Sequence, residues 1–366
     1  MSSASSTVVS RREFLATSAA MSLVGYSQRA SAETGPKETF SFFHISDTHY
    51  FANKEATSKL DEKSAGMTSR LIDRLNSLAG TDLPESVGGG TVKAPRGVIH
   101  SGDLIESGDR TGGVYPAMQK TEWAAFQDDY GLTGTEGRLK YPVFEVHGNH
   151  DGPHGKGVAI DGIIQRNQRR PGLTGVSENG LHYSWNWAQV HFINLGIVVG
   201  QDGEGVAKRR YDPLGSLNFL KSDLKANVTN SKTPIVLTHH IDVARYCTHC
   251  DINDAANTKL EWHPCDVNAY WQEIRDLNVV AILYGHTHFR NILQWDGTTA
   301  KAEKSETPEK GRTLFNVDNS SHFGGDSQGF LYFEITPNEL VVRECATKDG
   351  WRTSFWTPQV WRRTIG

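Results

Sequence analysis

Five short polar clusters in this chain carry residue types that bind metal ions. They are Asp47-Thr48-His49, Gly102-Asp103, Gly148-Asn149-His150-Asp151, Thr238-His239-His240 and Gly285-His286-Thr287-His288. Carboxylate, amide and imidazole donors without thiolates suit Zn, Mn, Fe or Ni, and they exclude a soft-metal or iron–sulfur centre. Asp47 and His49, two residues apart after an apolar strand, can reach one ion. His286 and His288 repeat that spacing on another segment, one for each of two ions. Asp103 has two oxygens and can bridge. The donors suffice for a two-metal site. In the pair His239-His240, His239 directly follows the strand and is the expected donor, with His240 the alternative. Asp103 alone would read as a helix cap; after Val98-Ile99-His100-Ser101-Gly102 it reads as a ligand.

Each cluster follows an apolar segment. Strands are expected at 40–45, 97–100, 143–146, 234–237 and 279–283, a hairpin at 182–195, and further β structure at 312–317, 329–335 and 340–344. Helices are expected at 60–78, where Met67, Leu71, Ile72, Leu75 and Leu78 have helical spacing, and at 115–130 and 214–226. Side chains leaving strand ends gather at one edge of an α/β sheet, where ligands bind. Residues 152–180 and 241–265 read as irregular loops that shape the substrate site. Neither an internal repeat nor a separating linker interrupts the chain, so residues 33–366 read as one layered α/β domain. Glycines 102, 148 and 285 let the backbone turn before each ligand.

Of 366 residues, 36 are glycine, 15 histidine and four cysteine, and the net charge is −4. A basic nucleic-acid face is excluded as the main role. So are a membrane span in the mature chain and a disulfide-dense scaffold. Residues 1–32 read as an export signal: Ser10-Arg11-Arg12-Glu13-Phe14-Leu15, a mildly apolar run to Tyr26, and Ala30-Ser31-Ala32. The paired arginines resemble the twin-arginine signal. That resemblance implies a partner in the twin-arginine machinery, folding before export, and a periplasmic or extracellular destination. Removal of the segment, with its three arginines and one glutamate, takes the charge to −6. Local metal charge must then dominate the binding of an anionic substrate.

The remaining histidines divide. His100 and His147 should hydrogen-bond in the core, and His44 should face away from Asp47. His154, His182, His249, His263 and His322 are substrate contacts or surface residues, with His154 nearest the motif loop. The basic run Arg166 to Arg170 either clamps an anionic group through Arg166 and Arg169 or is a solvated loop. Lys208 to Arg210 has the same two readings. Cys247, Cys250 and Cys265 can form a disulfide, a small zinc knot with His249 or His263, or free thiols; Cys345 reads as a buried thiol.

In order, D-x-H, G-D, G-N-H-D, H and G-H-x-H resemble the calcineurin-like metallophosphoesterase superfamily, with motifs from residue 47 to 288. The resemblance implies a four-layer αββα sandwich of two mixed sheets flanked by helices. It implies two divalent ions (Zn, Mn or Fe), one on Asp47, His49, Asp103 and His288, the other on Asp103, Asn149, His239 and His286. It makes His150, paired with Asp151, the acid near the leaving group, and a hydroxide bridging the ions the nucleophile. Purple acid phosphatases carry a tyrosine after the G-D aspartate, where this chain has Leu104-Ile105-Glu106. Protein phosphatases carry arginines at places taken here by Leu104 and Gly152, and nucleotidases carry a further C-terminal domain. The pattern stands nearest the bacterial phosphodiesterase-like branch. The expected function is hydrolysis of small phosphomonoesters or phosphodiesters by an exported enzyme. One alternative is a phospholipid or sphingolipid headgroup phosphodiesterase, touching lipid through Trp185, Trp187, Trp351, Trp356 and Trp361. Another is a non-catalytic metal-binding exported protein.

Overall fold

The first strand, β1 (Phe40–Ile45), is buried along its whole length. An apolar run buried on both faces is what the middle of a parallel arrangement demands. The structure, a computed structural model, describes residues 37–202, 209–246, 260–302 and 311–365. The 1–32 segment, His249, Cys247 and Cys250 lie outside the described residues.

After β1 come α1 (Glu62–Leu78), β2 (Val98–His100), α2 (Tyr115–Asp129) and β3 (Val143–Glu145), two consecutive β-α-β units. Asp61 caps α1, its side chain accepting from the backbone N–H groups of Lys63 and Ser64. The helix buries Met67, Leu71, Ile72, Leu75 and Leu78, the stripe its spacing announces. Next are α3 (Val158–Arg169), β4 (Leu173–Val176), β5 (Tyr183–Trp187), β6 (Val190–Asn194), α4 (Ser216–Asn227), β7 (Ile235–Thr238), α5 (Pro264–Ile274) and β8 (Val279–Tyr284). The rest is β: β9 (Asn291–Trp295), β10 (Ala300–Ala302), β11 (Arg312–Asn316), β12 (Gln328–Ile335), β13 (Glu339–Thr347) and β14 (Phe355–Thr364).

Two mixed sheets result, ordered β14-β13-β12-β1-β2-β3 and β10-β9-β11-β8-β7-β6-β5-β4. In the first, β1, β2 and β3 are parallel, with Phe43 beside Val98 and Val98 beside Val143, while β12 lies antiparallel to β1. In the second, β6, β7, β8 and β11 are parallel. Aromatic side chains join the facing sheets: Phe42 meets Phe192 edge-on at 5.6 Å, and Phe144 stacks on Trp185 at 4.3 Å. Phe126 of α2 and Ile160 of α3 join that core; α4 and α5 instead pack Leu217, Leu220, Tyr270 and Ile274 against Ile235, Leu237 and Ile282 of the second sheet. The fold is the expected class, two mixed sheets with helices.

Residues 152–180 depart from expectation. They hold a twelve-residue helix, α3, with Ala159, Ile160 and Ile163 buried. α5 likewise begins at the end of the stretch read as a loop. The tryptophans named as lipid contacts belong mainly to packing, since Trp185, Trp187, Trp351 and Trp361 are all buried.

Candidate metal centre

The parallel strands β1, β2, β3, β7 and β8 deliver the five polar clusters to one edge of the two sheets, the loop immediately after each strand carrying its cluster. His49 Nε2 lies 3.2 Å from His288 Nε2, 3.6 Å from Asp103 Oδ2 and 3.8 Å from Asp47 Oδ1, and His288 Nε2 is 3.3 Å from Asp47 Oδ1. Four donors bound at ~2.0–2.1 Å around one tetrahedral ion stand about 3.3–3.4 Å apart. The set fits a small divalent cation. A second set of Asp103, His240 and His286 adjoins it, each residue with a donor atom within 4.8 Å of the others. His240 Nε2 is 3.1 Å from Asp103 Oδ2 and 3.2 Å from Asn149 Oδ1. Asp103 belongs to both sets.

The expected donor His239 is not in this cluster. Its ring lies edge-on to Trp262 and Tyr270, at 5.3 and 5.6 Å, and both ring nitrogens are buried without a hydrogen-bond partner. Side chains alternate along a strand. Ile235 and Leu237 face the α5 core, Val236 faces the inter-sheet core, and His239 continues the first parity. His240 takes the other and enters the site, where its Nδ1 bonds the Ser101 carbonyl at 2.8 Å.

The backbone around the donors is strained in a consistent way. Among the described residues, eight non-glycines have positive φ, and five of them are Asp47, His49, Asp103, His286 and His288, at 45–72°. Each such residue costs of order 1–3 kcal/mol and persists only where its surroundings hold it. Here Asp47 N bonds Gly102 O at 3.0 Å, His49 N bonds Asp103 O at 3.1 Å, and the Asp47 carboxylate accepts from His286 N at 3.0 and 3.1 Å. Gly148 and Gly285 serve close approach. A Cβ would collide with the Asp103 carboxylate at the first and with Ser46 and Asp47 at the second.

The electrostatics favour a cation. Burial disfavours charge on His49, but hydrogen bonds that it donates to Asp47 and Glu106, and the Asp103 charge, push its pKa up to about 10. His240 rises to about 9 against the same burial, chiefly because of Asp103. Asp47 and Asp103 are both held well below the usual carboxylate range by facing imidazoles, despite burial. The cation-free site therefore carries protons where an ion would sit, and ion binding releases them. Buried His44, His100, His147 and His182 behave oppositely, with burial lowering them to about 3, 3, 3 and 4. In the unfolded chain all six titrate near 6.5. Below pH 6.5 the unfolded state gains protons that the four neutral rings refuse, so stability falls. Above it the folded state keeps protons on His49 and His240 that the unfolded chain loses, so stability falls again. The denaturation midpoint of chelator-treated protein should therefore peak near pH 6.5 and drop toward pH 5 and pH 9, while added Zn²⁺ removes the alkaline loss.

His150 and Asp151 are not partners. The His150 N–H donates to Asp103 Oδ1 at 2.8 Å, and its Nδ1 bonds the Glu106 carbonyl at 2.9 Å. A carbonyl only accepts, so Nδ1 carries the proton and Nε2 is the nitrogen left for chemistry. The Asp151 carboxylate is fully buried and accepts from Leu104 N, Ile105 N and Gly148 N at 2.7–3.1 Å, tying the β2 and β3 loops together. Burial and then the Asp103 charge raise it to about 7.

The residues expected as substrate contacts have other partners. His154 is exposed and pairs with Asp212 at 3.1 Å. Arg169 is exposed, its Nε donating to the Gln165 carbonyl. Arg166 is buried, and with Arg170 it grips the buried Glu145, at 2.7 and 2.6 Å. Removing one member of such a group costs about 3–5 kcal/mol. Arg166→Ala should lower the melting temperature by several degrees and leave KM unchanged, as paired thermal and kinetic measurements would show.

His44 bonds Ser101 Oγ at 2.8 Å; of the two rings expected to hydrogen-bond in the core, His100 bonds Thr48 Oγ1 at 2.9 Å, while buried His147 has no partner for either nitrogen. His182 bonds the Leu214 carbonyl, and His263 caps α5. Among the described residues, Cys265, exposed, and Cys345, buried, form no disulfide. Two residues escaped the sequence reading as parts of this site, and His322, read as a substrate contact or a surface residue, stands beside it. Glu106 Oε2 is 2.9 Å from His49 Nδ1, and Glu261 Oε1 is 2.9 Å from His286 Nε2. The His322 ring lies 4.6 Å from those of His49 and His288.

Residues 40–290, well over half of the chain, match the family model described as calcineurin-like phosphoesterase. Across 92% of its length the chain is similar in fold to a purple acid phosphatase from yellow lupin (Lupinus luteus) seeds, with TM-score 0.53 and 12% identity, and it spans 55% of that larger chain. Across 90% it is similar to a dimetal phosphatase from Danio rerio, with TM-score 0.51 and 14% identity, covering 100% of that chain. No curated protein sequence matches it. Donor clusters and family together lead to one conclusion: the chain belongs to the calcineurin-like phosphoesterase family, built on a dinuclear divalent metal centre, and is a metal-dependent phosphoester hydrolase.

Proposed function

We propose that this is an exported enzyme that hydrolyses small phosphomonoesters or phosphodiesters. Asp47, His49, Asp103 and His288 would hold one ion, and Asp103, Asn149, His240 and His286 the other. The observation that carries this reading is the placing of Asp103 Oδ2 between His49, at 3.6 Å, and His240, at 3.1 Å. When bound, the two ions supply Lewis-acid polarisation of phosphoryl oxygens and lower the pKa of water. The chain does the rest. The Asp47 and Asp103 carboxylates orient the donors, and the left-handed backbone at five ligands fixes them before substrate arrives. His150 is about a quarter exposed and 4.9 Å ring to ring from His49; as the imidazolium it would keep its Nδ1–H on the Glu106 carbonyl and present Nε2–H for delivery to the leaving oxygen, becoming the neutral Nδ1–H ring.

Chelator treatment should abolish hydrolysis of both p-nitrophenyl phosphate and bis(p-nitrophenyl) phosphate, and divalent ions should restore it. Turnover of neither ester by metal-loaded protein would contradict the reading. Export rests on the Arg11-Arg12 signal; Arg11→Lys with Arg12→Lys should retain the protein in the cytoplasm, and unchanged export of that variant would contradict it.

A further inference from the structure

Glu261, just ahead of α5, receives groups from three other segments. Its Oε1 meets His286 Nε2 at 2.9 Å, and Oε2 accepts from Tyr246 Oη at 2.5 Å and from Arg245 Nη2 at 2.9 Å. Arg210 Nη1 stands 3.6 Å from Oε1. The carboxylate is buried, at 8% exposure. Tyr246 and Arg245 occupy one oxygen and leave the other for the imidazole.

An ionised carboxylate only accepts, so His286 must donate from Nε2, and its lone pair resides on Nδ1. That nitrogen is the one left for the Asp103–His240 cluster. The first ion's set shows the same division of labour. Glu106 takes His49 Nδ1 at 2.9 Å, and His49 Nε2 faces Asp103 at 3.6 Å. We infer that Glu261 is a positioning residue: it fixes the tautomer and ring angle of His286 and so sets the affinity of the second ion, with Tyr246 and Arg245 holding its carboxylate in place. The inference rests on the two-ion reading above.

Outer carboxylates on metal-binding imidazoles are worth ~10–100-fold in metal affinity. The test is competition of Zn²⁺ between a chromophoric chelator and the whole mature chain. Wild type should take two ions. Glu261→Gln should weaken one of them by about 10–100-fold, leave the other within about twofold, and barely move the melting temperature of the metal-free protein. Tyr246→Phe, which keeps the carboxylate, should weaken the same ion to a lesser degree. In a His286→Ala background Glu261→Gln should cost nothing further, because the ring it orients is gone. Unchanged affinity in Glu261→Gln, equal weakening of both ions, or an undiminished loss in the His286→Ala background would each overturn the inference. A wild-type chain taking fewer than two ions would instead overturn the two-ion reading, and this inference with it.

Discussion

Asp103→Asn should lower kcat/KM for bis(p-nitrophenyl) phosphate by about 10³-fold or more, equivalent to ~4 kcal/mol of transition-state stabilisation. The size follows from position. Asp103 faces both donor sets and is the strongest influence on His240 after burial. An amide keeps the shape and removes the charge that balances two dications. The amide oxygen can still accept the His150 backbone N–H, which Asp103 Oδ1 holds at 2.8 Å, so the effect is that of the lost charge. Bound metal, measured by plasma emission, should fall from two ions per chain toward one. An Asp103→Asn enzyme at full rate with two ions would show that the centre lies elsewhere.

The second large effect separates two adjacent histidines. His240→Ala should reduce kcat/KM by about 10²–10³-fold and weaken one ion, because it removes a donor. His239→Leu should leave kcat/KM within about twofold, and it relieves two buried nitrogens that have no partner. Steady-state rates of both variants at saturating metal settle the assignment. Retained activity in His240→Ala with loss in His239→Leu would reverse it.

That pair also shows what the sequence could and could not disclose. The D-x-H and G-H-x-H spacings were legible because two residues on one strand end share a parity, and the order of the motifs carried the family resemblance and the layered fold. The choice between His239 and His240 turned on which face of β7 meets the site, and only the packing of Ile235 and Leu237 on the α5 side decides that. Glu106 and Glu261 could not be read at all. They lie 57 and 25 residues from the imidazoles they hold, and loop paths alone bring them there. Charge misled at Arg166, read as an anion clamp or part of a solvated loop, which is a buried partner of Glu145. The glycines and arginines of 152–180 likewise hid a helix whose apolar stripe, Ala159, Ile160 and Ile163, is short but regular.

The most direct measurement is a metal titration. Chelator-stripped mature protein is titrated with Zn²⁺ or Mn²⁺ while hydrolysis of bis(p-nitrophenyl) phosphate is followed. The account predicts no turnover without metal and a rate that reaches its plateau only at two equivalents per chain. Turnover in the metal-free protein, or a plateau at one equivalent, would contradict it.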